Sequence, residues 1–107
     1  MDSGVEKDAL YNASDGEQVK SRREKLKTRE LQKKAALRRF ISEPEGRMWM
    51  WDLLGRCGIF RSSFSSEPLV MAFNEGRRDI GTFLASEIGS ADSDAFFKMA
   101  IENREER

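Results

Sequence analysis

The chain has 107 residues, of which 36% are charged and 38% apolar, so it holds at most one small domain under a heavily charged surface. It contains no histidine and a single cysteine, Cys57, which excludes Ser/His and Cys/His catalysis, an internal disulfide and the usual zinc clusters. The zero net charge conceals segregation: residues 1–19 carry −4, residues 20–39 carry +8 and residues 40–107 carry −4.

Residues 1–17 are polar and acidic, with Gly4, Asn12, Ser14, Asp15 and Gly16 and no periodic apolar set. They read as a disordered tail without the apolar stretch of a secretion signal. From Glu17 to about Ile41 neither glycine nor proline interrupts a run rich in Lys, Arg, Glu, Leu, Gln and Ala, all strong helix formers. Val19, Leu26, Leu37, Phe40 and Ile41 share one side, but Arg22, Glu30 and Lys33 interrupt it, so only the last two turns have a docking stripe. Residues 18–36 are therefore expected as a basic helical arm and residues 37–107 as a compact helical domain.

SEPEGR opens a second helix, with Ser42 as N-cap, Glu45 completing a capping box and Pro44 in the first turn. That helix should run to about Cys57 and stop at Gly58. Met50, Leu53, Leu54 and Cys57 form its apolar face, with Trp49 and Trp51 on the flanks. Cys57 reads as a small apolar core residue. GIFRSSFSS is a loop whose Ile59, Phe60 and Phe64 should fold back over the core. A second SEP at 66–68, with Ser66 as cap, starts a third helix ending near Ile88 and Gly89. Ser90 or Asp92 caps a fourth, through about Glu105, with Ala95, Phe96, Phe97, Met99, Ala100 and Ile101 as a broad apolar side. The expected fold is all-α, a small bundle of about three to four helices with a basic N-terminal arm.

In PLVMAFNEGRRDIGTFL, the positions Leu69, Ala72, Phe73, Gly76, Ile80, Phe83 and Leu84 lie within about 60° of one line on a helical wheel. Gly76 at the middle of this stripe reads as a packing notch for Trp49, Trp51 or Phe60, the alternative being a ligand-binding glycine. Gly81 lies on the stripe's edge and has no such explanation. Arg77 sits at the apolar margin, where Glu45, Asp52 or Asp79 would pair with it. Arg78 points away from the expected core and is free to meet a partner.

The arm's bases are the strongest functional signal. Lys20, Arg22, Arg23, Lys25, Lys27, Arg29, Lys33 and Lys34 could neutralise phosphates in a salt-sensitive manner. No aromatic residue lies between Tyr11 and Phe40, so neither base stacking nor sequence readout by the arm is supported. The alternatives are an acidic protein partner, or a solvated helix with pairs such as Glu30 to Lys34. Two Trp, seven Phe and five Met either fill a small core or leave some aromatics for an interface, including a homo-oligomeric one. Paired acids such as Asp92 with Asp94 sit at helix starts, where they complement the dipole, and no calcium loop or Walker lysine is present. No enzyme, metal or cofactor is expected.

LRRFISEPEGRMWMWDLLGRCGIFRSSF followed by PLVMAFNEGRRDIGTFLASEI, residues 37–88, resembles a small domain family of tailed bacteriophages, best known from a short-tailed Bordetella phage. The shared features are EGR with aromatics after it, GIFRSSF and AFNEGRRDIG. The matching positions include Gly46, Arg47, Phe60, Phe64, Phe73, Gly76, Arg77 and Gly81, none of which brings a catalytic role with it. The resemblance implies a product of the structural and packaging gene region, near portal and capsid genes, which points to phage structural proteins as partners and to the virion or host cytoplasm as location; DNA is a candidate partner through the arm's charge. Taken with the arm, the expectation is a non-enzymatic virion or assembly protein contacting DNA or an acidic virion protein. A free nucleic-acid-binding protein and a protein–protein interaction module are the alternatives.

Overall fold

The computed structural model describes the backbone of residues 2–104 and the side chains of residues 14–104. Four helices follow one another: α1 (Asp2–Ile41), α2 (Pro44–Arg56), α3 (Pro68–Ala91) and α4 (Ala95–Asn103). There is no strand among the described residues, so the protein is a small all-α bundle.

The helix starts differ from the expected ones. Ser42 does not cap α2; its hydroxyl donates to the Arg39 carbonyl at the end of α1, 2.6 Å away. The chain is already extended at Glu43, no side chain caps the helix, and Pro44 takes the first helical position, where its missing N–H is not needed. Likewise Glu67, not Ser66, precedes α3, and Pro68 opens it. α3 runs through Gly89 to Ala91, and α4 begins at Ala95, with Asp92 accepting the Asp94 N–H at 3.0 Å in the turn between them. α1 begins at Asp2, whereas composition suggests an irregular tail to residue 17. No proline interrupts residues 2–17, and extending an existing helix costs far less than nucleating one.

The chain divides into two units within α1, residues 1–33 and residues 34–107. In the first, every described side chain from Ser14 to Lys33 is exposed. Val19, Leu26 and Leu31 are scattered and unburied, so no stripe forms.

In the second unit, α2 packs on α3 and on α4, which pack on each other. Their core is Ile41, Met50, Leu54, Ile88, Ala91, Ala95 and Met99, edged by Leu37, Trp51, Ile59, Leu84, Ala85 and Phe96. Trp51 and Phe60 stack at 4.8 Å, with Phe96 near both. Gly46 is a point of closest approach: a Cβ there would collide with the Phe40 carbonyl oxygen and lie 2.7 Å from its carbon. The missing side chain lets α2 tuck beneath the end of α1. Arg47 secures the same corner. Its Nε–H donates to Glu102 Oε1 at 2.6 Å, and its Nη1 donates to the Ile41 and Ser42 carbonyls at 3.1 and 3.0 Å.

α3 has 24 residues and is about 36 Å long, whereas the 13 residues of α2 and 9 of α4 span only about 20 and 13 Å. These two cannot cover all of α3. It buries Gly81, Ile88 and Ala91 and leaves Leu69, Phe73, Gly76, Ile80 and Phe83 in solvent. This corrects the expected packing role of Gly76, which is exposed and would place a Cβ in open space. The notch lies at Gly81, and its occupants are Ile59 and Cys57, not Trp49, Trp51 or Phe60. The α3 stripe is apolar without being buried, because the packed face is rotated toward the side that carries Gly81.

Candidate functional site

GIFRSSF and AFNEGRRDIG, separate in the chain, form one surface. Gly58 turns the chain out of α2 with φ +75°, a conformation that glycine adopts without Cβ strain. Its N–H donates to the Gly55 carbonyl at 3.0 Å, and the Ile59 N–H reaches the Leu54 carbonyl at 3.5 Å. Ile59 then drops beside Gly81, docking the loop on the middle of α3.

Polar contacts secure the rest of the loop. Asn74 donates through Nδ2 to the Ser63 carbonyl at 3.3 Å, and the Ser63 hydroxyl donates to Glu75. Ser62 Oγ accepts the Phe64 N–H at 3.1 Å, a local serine turn. Loop and helix are thus connected at Gly81, Asn74 and Glu75.

Three arginines line two adjoining cavities of this surface. Arg61 and Arg77 line a cavity of about 290 Å³ with Gly58, Ser62, Ser63 and Asn74. Arg61 and Arg78 line an adjoining one of about 420 Å³ with Ile59, Phe60, Ser62 and Ser63. Neither lining includes a carboxylate.

Arg77 has no ion pair among the described residues, contrary to the pairing expected with Glu45, Asp52 or Asp79. Its Nη2 donates to Asn74 Oδ1 at 3.1 Å, and its guanidinium lies 5.0 Å from the centre of the Phe73 ring. Its Nε is buried and has no acceptor among the described residues, an unmet donor of a kind that costs on the order of 1–3 kcal/mol. On α3 Arg77 reaches Asn74, one turn earlier, whereas Asp79, two residues on, does not face it.

The basic arm is a second candidate. Lys20, Arg22, Arg23, Lys25, Lys27, Arg29, Lys33 and Lys34 are all exposed. The ion pair found there joins Glu30 to Lys33, at 3.5 Å, in place of the expected Glu30 to Lys34 pair. Both partners are more than half exposed, so the pair contributes little and leaves the helix strongly basic.

Of the sequence-derived motif positions, Gly46 and Arg47 hold the α1–α2–α4 corner, and Gly81 receives the loop. Phe60 is stacked yet half-exposed, while Phe64 and Phe73 are largely in solvent. Arg61, Ser62, Ser63 and Asn74 carry no chemical signature in the sequence that marks them as site residues. Their signal is membership of the shared GIFRSSF and AFNEGRRDIG stretches, which assigns them no role, and the loop's register against α3 depends on Gly81 accepting Ile59.

No curated protein and no solved structure matches the chain. A family model does, that of the Bbp19-like phage protein, over residues 37–102. The match covers more than half of the chain and extends past the expected limit at residue 88 to include most of α4, with Arg47 and Glu102 both inside it. It also contains the loop, the α3 arginines and every core residue. On this match, the chain belongs to the Bbp19-like phage protein family.

Proposed function

We propose that this phage protein is a non-enzymatic component of the virion or of its assembly, a helical adaptor whose basic arm contacts DNA or an acidic virion protein. The observation that supports this is the density of uncompensated exposed charge: ten bases and two acids over residues 20–39. Such a helix attracts polyanions by releasing their counterions, without reading sequence. The reading puts the protein in the particle, or in the host cytoplasm during assembly.

Mass spectrometry of purified particles is the test. Detection at a reproducible copy number is the expected result, whereas absence from particles and from assembly intermediates would overturn the virion reading in favour of a free nucleic-acid-binding protein. A second reading, a protein-interaction module, draws on the exposed row Leu69, Phe73, Ile80 and Phe83 of α3. A monodisperse monomer by light scattering, with no dye bound to apolar surface, would count against it.

A further inference from the structure

We propose that the cradle between the 58–63 loop and α3 binds a phosphate group, carried by a nucleotide or a nucleic-acid strand. This site is separate from the arm and stands on different residues.

The inference is carried by the position of Arg61, Arg77 and Arg78 on two adjoining cavities that share Arg61, Ser62 and Ser63, together with the few acceptors these arginines meet. Arg47 meets three acceptors, a carboxylate and two backbone carbonyls. The Arg61 and Arg78 side chains make no hydrogen bond or ion pair to a described residue, and the Arg77 side chain meets one neutral amide oxygen. Each guanidinium carries five N–H donors in a planar fork suited to paired oxygens. Arg61 lines both cavities, with Arg77 in one and Arg78 in the other, and one acceptor among the three forks leaves an excess of donors there. The carboxylate nearest in bonding terms, Glu75, is attached to Ser63 and lines neither cavity.

A tetrahedral oxyanion meets this arrangement better than a carboxylate does. It offers three or more oxygens to donors that arrive from two directions, Arg61 on the loop and Arg77 with Arg78 on α3. Ser62 and Ser63 line both cavities. Ser62 Oγ accepts a bond from Phe64 and keeps its own proton to donate. Volumes of about 290 and 420 Å³ accommodate a phosphate and its attached group. Phe60, half-exposed at the wall shared with Arg61 and Arg78, offers an aromatic surface to that group. Single-stranded nucleic acid is bound elsewhere by this combination of guanidinium and aromatic surface.

The test uses the full-length ¹⁵N-labelled protein, titrated in separate arms with inorganic phosphate, a mononucleotide and a short oligo-thymidine strand. Sodium chloride at matched ionic strength is the control. The expected result is saturable movement of the Arg61 and Arg77 Nε–H signals and of the Ser62 and Ser63 amides. R61Q and R78Q should each weaken binding about tenfold or more, with unchanged melting temperature because both side chains are exposed. A variant with Lys25, Lys27 and Arg29 changed to glutamine should retain phosphate binding at the cradle, which separates this site from the arm. Phosphate binding without strand binding would assign the site to a free anion or nucleotide. Equal shifts with chloride, movement confined to arm residues, or unchanged affinity in both arginine variants would overturn the proposal.

Discussion

Replacing glycine by alanine at positions 76 and 81 separates packing from propensity within one helix. Both glycines lie inside α3, so alanine brings the same gain at each, about 0.5–1 kcal/mol from helix propensity and the lower entropy of the unfolded chain. At Gly76 nothing lies within 4 Å of the added Cβ, and the full gain should appear. At Gly81 the Cβ would be 2.6 Å from Cys57 Cβ and would overlap Ile59 Cγ2. Neither neighbour is the far end of a flexible chain, so the loop must move, at a cost of about 1–3 kcal/mol for overpacking. Gly76→Ala should therefore be more stable than the parent, and Gly81→Ala less stable by up to about 2 kcal/mol. In thermal melts followed by circular dichroism this is a rise of a few degrees for the first and a fall of roughly 5–10 °C for the second. The difference between the variants, about 1–3 kcal/mol, measures the Ile59 and Cys57 contact alone, because the unfolded-state terms are shared. Equal melting temperatures for the two variants, or a lower one for Gly76→Ala, would refute the assignment of the notch to Gly81.

Other substitutions test the remaining parts. Gly46→Ala should be the most damaging of the glycine changes, since the obstacle is the Phe40 backbone, which has no rotamer to change; a loss of about 3 kcal/mol or more, at the upper end of overpacking costs, is expected in urea unfolding. Arg47→Ala should cost about 2–3 kcal/mol through three lost charge-assisted bonds, and Arg47→Lys should recover little, because one ammonium cannot reproduce the fork. Ile80→Ser and Leu69→Ser, on the uncovered part of α3, should each change unfolding free energy by under about 0.5 kcal/mol. Changing Arg22, Arg23, Lys25 and Lys27 together to glutamine should reduce the slope of log affinity against log salt for duplex DNA by about 3 to 4. An unchanged slope in filter-binding or anisotropy titrations would remove the arm from the interface.

Elements that depend on neighbouring residues are legible in the sequence. The helices, the proline starts and the termination of α2 at Gly58 follow from local propensity and missing N–H groups, which act over a turn or two. The strongly basic character of residues 20–36 is equally plain, since exposure there needs no partner. The role of Gly76 is not legible in this way. A helical wheel shows that an apolar stripe exists, but not whether another helix is long enough to lie on it. The buried residues of α3 are Gly81, Ile88 and Ala91, in its C-terminal half, so Leu69 and Phe73, residues with core character, remain outside.

The arginines show the same division. Arg47, Arg77 and Arg78 occur in similar contexts, EGR and EGRR, yet one is a structural clamp and two line a cradle. What distinguishes them is the identity of the acceptors, and these come from distant segments: Glu102 lies 55 residues from Arg47. The sequence by itself determined four helices, their order, the charged arm and the phage family. Tertiary structure alone decided that Gly81 receives Ile59, that the loop's Arg61 lines one cavity with Arg77 and another with Arg78, and that the apolar row of α3 faces water. Each of these outcomes depends on which surfaces the short helices can reach, a property of lengths and crossing points in space that no local pattern records.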